Sequence, residues 1–495
     1  MLDTPQLPVR AAACPALSLP VTCLSNMKNS SSFRSLICLA LLLALSGIAA
    51  AADSGALRVG AARVDVTALG PPPATPPTGK YAHEQLFVRA IVLDNGVTRA
   101  VLIGADQGML PDPVWKPAAT RIVSELNCPV ENIVMSPTHT HSGGFGGPPR
   151  RVAGGSAPPP AQAAPPLVDK MVEAVRQAKA NLQPARVAFG TGLSYLNVNR
   201  DAISPQTRLW TQAANLQAPS DKTVAVVKFE TPSGEPIAIY VNYPMHPVNL
   251  YLGGITSADF PGATCRYIEQ IYGDKVVVAF SQGASGDQNP LYLRPSTVAM
   301  LRRGGQAYTG QPLVRESVEA EIRDGGRPMV PLDARAADDV ERWMEAEGMV
   351  LAEEVLRVMD NMPAGVADVR LWAAQKMVTC PGRQRTNQGR EGAPGTYVDG
   401  DPVNIRLGVL TIGHVALTTI DAEVYTAIGQ AVKRQSPLTD TVVVTMANGA
   451  ANSGYIPTDD AFGRYTFQVL GSRLKPGCAE TAIPNGLVEL LNQAQ

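Results

Sequence analysis

Ile133-Val134-Met135-Ser136-Pro137-Thr138-His139-Thr140-His141-Ser142-Gly143-Gly144 is the stretch around which the chain is organised. A short apolar run ends in a polar loop that carries two of the five histidines, which stand at 83, 139, 141, 246 and 414. In an extended backbone, residues i and i+2 point to the same side, so both imidazoles can face one cavity. Imidazole is the usual neutral zinc ligand and the side chain that titrates near neutral pH. One of the pair can bind a metal while the other handles a proton or an oxyanion. The plain alternative is two surface histidines hydrogen-bonded at a strand end.

Outward from this stretch the same pattern repeats. Residues 223–230 and 236–243 read as a hairpin around Pro232-Ser233-Gly234, running into Pro244-Met245-His246-Pro247. Residues 275–280 read as a buried strand that opens into Ser285-Gly286-Asp287-Gln288-Asn289-Pro290. Residues 407–420, with His414 inside, read as one long strand ending where Asp421-Ala422-Glu423 begins a helix; residues 442–445 deliver Asn448 to Tyr455. An earlier hairpin, 87–93 with 99–105 across Asp94-Asn95-Gly96, ends at Asp106. Helices are expected over 167–182 and 339–361, and a third from an acidic cap at Asp259 to Gly273. Asn197-Val198-Asn199-Arg200 and residues 380–401 read as polar loops. The alternation predicts an α/β fold of mixed sheets flanked by helices in one large domain. His139, His246, Glu423 and Asp106 all follow strand ends, where such folds gather their sites. Two imidazoles and a carboxylate are a common catalytic zinc set; Asp106, Asp259, Asp287 and Glu423 compete for the acid position.

The totals narrow the class. Of 495 residues 45% are hydrophobic and the formal net charge is -1, with no basic block or basic–aromatic interleaving to suit nucleic acid. The 42 prolines and 44 glycines favour long ordered loops. Pro148-Pro149 through Pro165-Pro166 reads as an interdomain linker or as a rim of the His139 site. Near the N-terminus Met27-Lys28, an apolar core over 36–45 and the small residues 46–52 have the layout of a secretory signal. The reading is an upstream extension or mis-assigned start over 1–26, a signal peptide over 27–52 and the mature domain over 53–495. It predicts export to the periplasm or the cell exterior, with no membrane span after signal removal. Cys128, Cys265, Cys380 and Cys478 remain; they are read as structural, with three full pairings open.

Ser136–Gly144, Pro244-Met245-His246-Pro247, Gly286-Asp287-Gln288-Asn289-Pro290 and Asn448–Tyr455, in this order and after the opening residues 58–67, resemble the neutral/alkaline non-lysosomal ceramidase family across residues 57–475. The resemblance implies one zinc ion per chain on His139, His246, Glu423 and Tyr455. It implies His141, with Tyr455, as proton carrier or oxyanion donor. Arg200 would contact the polar head of the substrate, and Tyr465 would be a second tyrosine of the site. His83 and His414 match nothing metal-binding. Where the family carries Gly-Asp-Val-Ser-Pro-Asn, this chain has Asn289 in place of the serine, and an amide donates a hydrogen bond but cannot accept an acyl group. Ser285 is the nearest substitute hydroxyl. The family continues into a C-terminal β-sandwich, whereas this chain stops shortly after Cys478, so the catalytic domain alone is expected. The implied activity is an exported, zinc-dependent amidohydrolase cleaving an N-acyl lipid, ceramide to sphingosine and fatty acid. Its implied partners are a small lipid-like or N-acyl substrate and, transiently, a membrane surface. The alternatives are a zinc hydrolase of another amide, an ester or a lactone, and a lipid-binding homologue without turnover.

Overall fold

Three strand pairs that run parallel set the architecture of the computed structural model, which describes residues 54–69, 85–143, 164–250, 256–294, 334–387 and 392–495. Ile133–Pro137 lies parallel to Arg99–Ala105, Pro236–Tyr243 to Val277–Gln282, and Val415–Ile420 to Thr441–Thr445. Each pair belongs to a different sheet. The first sheet runs in the order Ile133–Pro137, Arg99–Ala105, Phe87–Asp94, Arg58–Asp65, Gln183–Pro184. The second runs Val277–Gln282, Pro236–Tyr243, Thr223–Glu230, Arg186–Leu193. The third runs Ser54–Ala56, Asp368–Arg385, Tyr397–Ile412, Val415–Ile420, Thr441–Thr445. Every other neighbouring pair in these sheets is antiparallel.

One apolar core joins the sheets: Ile91, Leu102 and Val134 meet Val227, Tyr240 and Ala279 of the second sheet and Leu410, Leu417 and Val444 of the third. Each sheet buries its other face under a helix pair. Asp112–Leu126 and Ala164–Ala180 cover the first, Asp259–Ile271 and Ala334–Asp360 the second, Thr426–Gln435 and Ala479–Gln493 the third. The α/β expectation therefore holds, and both early hairpins form as read. Among the described residues no helix is long and apolar enough to cross a membrane.

Several local readings are corrected. Residues 407–420 are two antiparallel strands, because Gly413 takes a left-handed φ of 61° and turns the chain. His414 thus sits in an exposed turn, 3.3 Å from Asp440, and not inside a strand. Residues 380–401 belong largely to a long ribbon, Asp368–Arg385 on Tyr397–Ile412, whose polar faces give no alternating apolar signal. Asn197-Val198-Asn199-Arg200 opens the strand Asn197–Ile203 of a further small sheet with Gln288–Pro290 and Trp210–Asn215. Its buried polar side chains hold backbone carbonyls, Asn197 donating to Pro244 at 2.7 Å and Asn199 to Pro219 at 3.0 Å, so hydropathy misses it. The helix after Glu423 starts only at Thr426. Asp259 opens its helix but is not its cap, which is Ala258; the Asp259 carboxylate accepts from Asn249 and Leu250. Residues 1–53, the prolines at 71–77, His83, the proline-rich stretch through residue 163 and most of 303–335 lie outside the described residues.

Candidate metal centre

In a parallel pair both strands end at the same edge, and the polar loops leaving the three pairs meet. Thr138 donates to the Ala105 carbonyl at 2.8 Å and His139 to that of Gln107 at 2.9 Å, which stitches the loop to the neighbouring strand's exit. His139 itself is left-handed, with φ 67°, so the pair His139–His141 does not share a face by strand alternation. The turn still brings the rings to 4.7 Å. His141 donates its backbone N–H to Pro247 at 3.3 Å, and the His246 ring lies 4.9 Å from that of His139. From the third sheet, Asn448 clamps Ile133–Pro137, accepting from Met135 and donating to Ile133, each at 2.8 Å. The chain then returns so that Tyr455 pairs with Glu423 in a two-residue parallel bridge.

The hydrogen bonds assign the ring protons. The Nδ1 atoms of His139, His141 and His246 face the carbonyls of Gly108 at 2.6 Å, His139 at 3.0 Å and Gln288 at 3.0 Å. A carbonyl only accepts, so each Nδ1 carries the proton and each neutral ring keeps a lone pair at Nε2. His139 Nε2 is buried and makes no hydrogen bond. It lies 3.5 Å from Glu423 Oε2, and His246 Nε2 lies 3.3 Å from the same oxygen. Burial, aided by the Arg200 charge, pushes His246 down to about 3, and burial with its two neighbouring rings takes His141 well below the usual imidazole range. Burial works against the Glu423 carboxylate, but the flanking imidazoles hold its carboxyl well below the usual value. Two imidazole nitrogens and an ionised oxygen thus face one another across 3.3–3.5 Å. Lone pairs in that arrangement repel unless a cation lies among them. Two or three imidazoles and one carboxylate, with each ring's other nitrogen tied to a carbonyl, are the donor set and outer support of a zinc-type site. The three histidines each offer a ligand atom within 4.8 Å of the others'.

The remaining predicted residues divide. Tyr455 stacks toward His246 at 6.4 Å, and its hydroxyl engages Arg200 and Glu423. Burial and then the Glu423 charge push its phenol up, so within the chain it keeps its proton. Arg200 is buried against the rings of Tyr455 and Phe467, donating to Asn289 Oδ1 at 3.1 Å and to Gly286 at 2.6 Å. Its Nε has no hydrogen bond. Tyr465 is half-buried at the end of a short 3-10 helix, its carbonyl accepting from Gly392; no described contact links it to the histidines. Asp106 is engaged by Arg89, Asp259 by Asn249, and Asp287 by Thr426 and Asn199, so Glu423 is the acid that meets the imidazoles. Sequence reading missed Phe467 and the carbonyls of Gly108 and Gln288; main-chain acceptors leave no mark in residue identity. A separate polar cavity of about 500 Å³, lined by Asp112, Lys116, Arg383, Arg406 and Asp421 among others, includes none of the metal-site residues.

Residues 74–299 match the family model described as neutral/alkaline non-lysosomal ceramidase, N-terminal. That span holds His139, His141, Arg200, His246 and Asn289, while Glu423, Tyr455 and Tyr465 lie beyond it. The neutral ceramidase of Pseudomonas aeruginosa is 26% identical over 285 residues, 54% of this chain and 42% of the relative. Neutral ceramidase A of Dictyostelium discoideum is 26% identical over 228 residues, 43% of this chain and 32% of the relative. The matches thus span less than half the length of these relatives. A solved ceramidase complexed with C2 superposes with a TM-score of 0.63 at 18% identity, covering 88% of this chain and 75% of the other. The crystal structure of neutral ceramidase from Pseudomonas aeruginosa gives the same score over 74% of its chain. That likeness is one of fold. Residues 74–299 thus match the model of the neutral/alkaline non-lysosomal ceramidase family, and the fold that carries them is similar to that of the solved ceramidases.

Proposed function

We propose that this chain is an exported, zinc-dependent amidohydrolase that cleaves the amide bond of an N-acyl lipid, ceramide to sphingosine and a fatty acid. The observation that carries the proposal is the convergence of His139 Nε2 and His246 Nε2 on Glu423 Oε2, at 3.5 and 3.3 Å. One zinc ion per chain would be held by His139, His246 and Glu423, with Tyr455 as the fourth protein group. Such an ion supplies a Lewis acid for the carbonyl and a water acidified toward neutrality.

The chain's own groups take distinct parts. His141 has its Nδ1 proton committed to the His139 carbonyl, so Nε2 is the ring atom that accepts a proton and can then return it to the leaving amine. The Tyr455 hydroxyl keeps its proton and is a donor for the developing oxyanion. Arg200 is held by Asn289 and Gly286 with Nε left over for the polar head of the substrate. Asn289 spends its carbonyl oxygen on Arg200, which leaves its amide nitrogen for substrate and no nucleophile at that position. Tyr465 would close the substrate site from the loop before Phe467. Residues 27–52 are read as the signal peptide after an upstream stretch over 1–26, and 53–495 as the mature ceramidase-like domain, which implies a periplasmic or extracellular enzyme meeting lipid at a membrane surface.

The experiment is metal analysis of the purified mature chain together with a panel of N-acyl and O-acyl substrates. The expected result is one zinc per chain, hydrolysis of N-acyl lipids, and loss of both in His139→Ala and His246→Ala. Absence of stoichiometric zinc, or wild-type turnover by His139→Ala, would overturn the reading. Turnover of esters alone would overturn the amide part and leave the metal.

A further inference from the structure

We propose that Asp287 is the positioning residue of this centre, one buried carboxylate that locks together the two separate segments carrying Glu423 and Arg200, while the next residue, Gln288, holds His246. The helix Thr426–Gln435 begins three residues beyond Glu423, and its first N–H groups need acceptors. Its own N-cap residue, Tyr425, makes no capping hydrogen bond and turns its hydroxyl to Asp201 at 3.0 Å. Asp287 supplies the cap from a segment 139 residues away, Oδ1 accepting from Thr426 N–H at 2.8 Å. Negative charge is favoured at that end of a helix. The other oxygen, Oδ2, accepts from Asn199 Nδ2 at 2.8 Å, and the Asp287 carbonyl accepts from Arg200 N–H at 2.8 Å.

Both neighbours extend the lock. Gly286 donates to the Val424 carbonyl at 2.8 Å and accepts from Arg200 Nη2 at 2.6 Å. Gln288 presents its carbonyl to the His246 backbone N–H at 3.2 Å and to Nδ1 at 3.0 Å. The Asp287 carboxylate is 3% exposed. With both oxygens occupied by donors it is not itself a metal donor. It acts through Thr426 on the Glu423 turn and through Asn199 on the Arg200 strand. Outer supports of this kind are worth about 10–100-fold in metal affinity or activity. The inference deepens the proposed function and rests on it for the metal readout alone.

The test is Asp287→Asn in the full mature chain, which keeps the shape but sets an NH2 group against one of the two donors. Two readouts are taken: affinity for Zn²⁺ and the visible spectrum of the Co²⁺-loaded protein, and amide hydrogen exchange of residues 423–430. Expected are an affinity lower by about 10–100-fold, shifted Co²⁺ bands, and faster exchange over 423–430 with the Arg99–Ala105 strand unchanged. Glu354→Gln, which removes a half-buried carboxylate paired with Arg357 and with the Leu193 N–H, should leave both readouts at wild-type values. Unchanged exchange over 423–430 overturns the inference whatever the metal does. Faster exchange with unchanged affinity and spectrum overturns the positioning of the centre. A wild-type chain that binds no metal overturns the proposed function, while faster exchange in the variant still upholds the lock on the Glu423 segment. If Asp287→Asn does not fold, Asn199→Ala removes one of the two hydrogen bonds and is read the same way, with smaller shifts expected.

Discussion

His141 differs from its two neighbours in what its ring can reach. His139 and His246 both bring Nε2 against Glu423 Oε2, whereas the His141 ring turns its Nδ1 to the His139 carbonyl. It follows that His141→Ala keeps the metal and loses about 10²–10⁴-fold in kcat, whereas His246→Ala loses the metal itself. Zinc content and single-turnover rates of the two variants check this; loss of metal in His141→Ala would make it a ligand. Histidine made these positions legible from the start, because few residues in this chain carry an imidazole and three of those meet here. The backbone carbonyls that orient the rings were not legible, since any residue supplies one.

At the level of elements, the short segment 286–290 is the least forgiving. A Cβ added at Gly286 would lie 2.8 Å from the Val424 carbonyl oxygen, next to Glu423 in the chain. Backbone cannot yield as a flexible side chain does, so Gly286→Ala should cost about 1–3 kcal/mol of stability and weaken metal binding with it. Thermal unfolding and zinc affinity, measured together, test the pairing of the two losses; a stable variant with normal zinc affinity would refute it. Elements dense in apolar residues, such as Phe87–Asp94 and Pro236–Tyr243, were readable from pattern. The ribbon Asp368–Arg385 with Tyr397–Ile412 and the strand Asn197–Ile203 were not. Their stability comes from ladder hydrogen bonds and buried amides, which hydropathy does not register.

Across the molecule, a buried carboxyl on a helix that covers the second sheet sets a pH dependence. Glu347, on the long helix Ala334–Asp360, is pushed up to about 8, chiefly by burial and further by the Asp259 charge, against the pull of Asn249 and Arg294. Between the ordinary carboxyl range near 4.5 and about 8 the unfolded chain gives up this proton while the folded chain keeps it. The folded state binds more protons there, so Glu347 makes stability fall as pH rises through that window. Glu347→Gln removes this slope and should be the more stable protein at pH 8, by on the order of a few kcal/mol, with a smaller advantage at pH 5. Denaturant unfolding at the two pH values measures the difference; equal slopes for both proteins would sink the assignment. The cysteines are likewise settled at this scale, Cys380 joined to Cys478 and the buried Cys128 and Cys265 left as thiols.

By itself the sequence determined the α/β class, the strand ends as the place of chemistry, and His139 and His246 as the groups worth watching, with four acids in competition of which the family resemblance implied Glu423. Those follow from local periodicity and from scarce residue types, both of which are written in the chain. Only the tertiary structure decided which acid meets the imidazoles, because Asp106, Asp259 and Asp287 differ from Glu423 in their partners and not in their chemistry. It also decided the ring protons and the cysteine pairing, since each depends on distances between segments more than ninety residues apart or on carbonyls without identity.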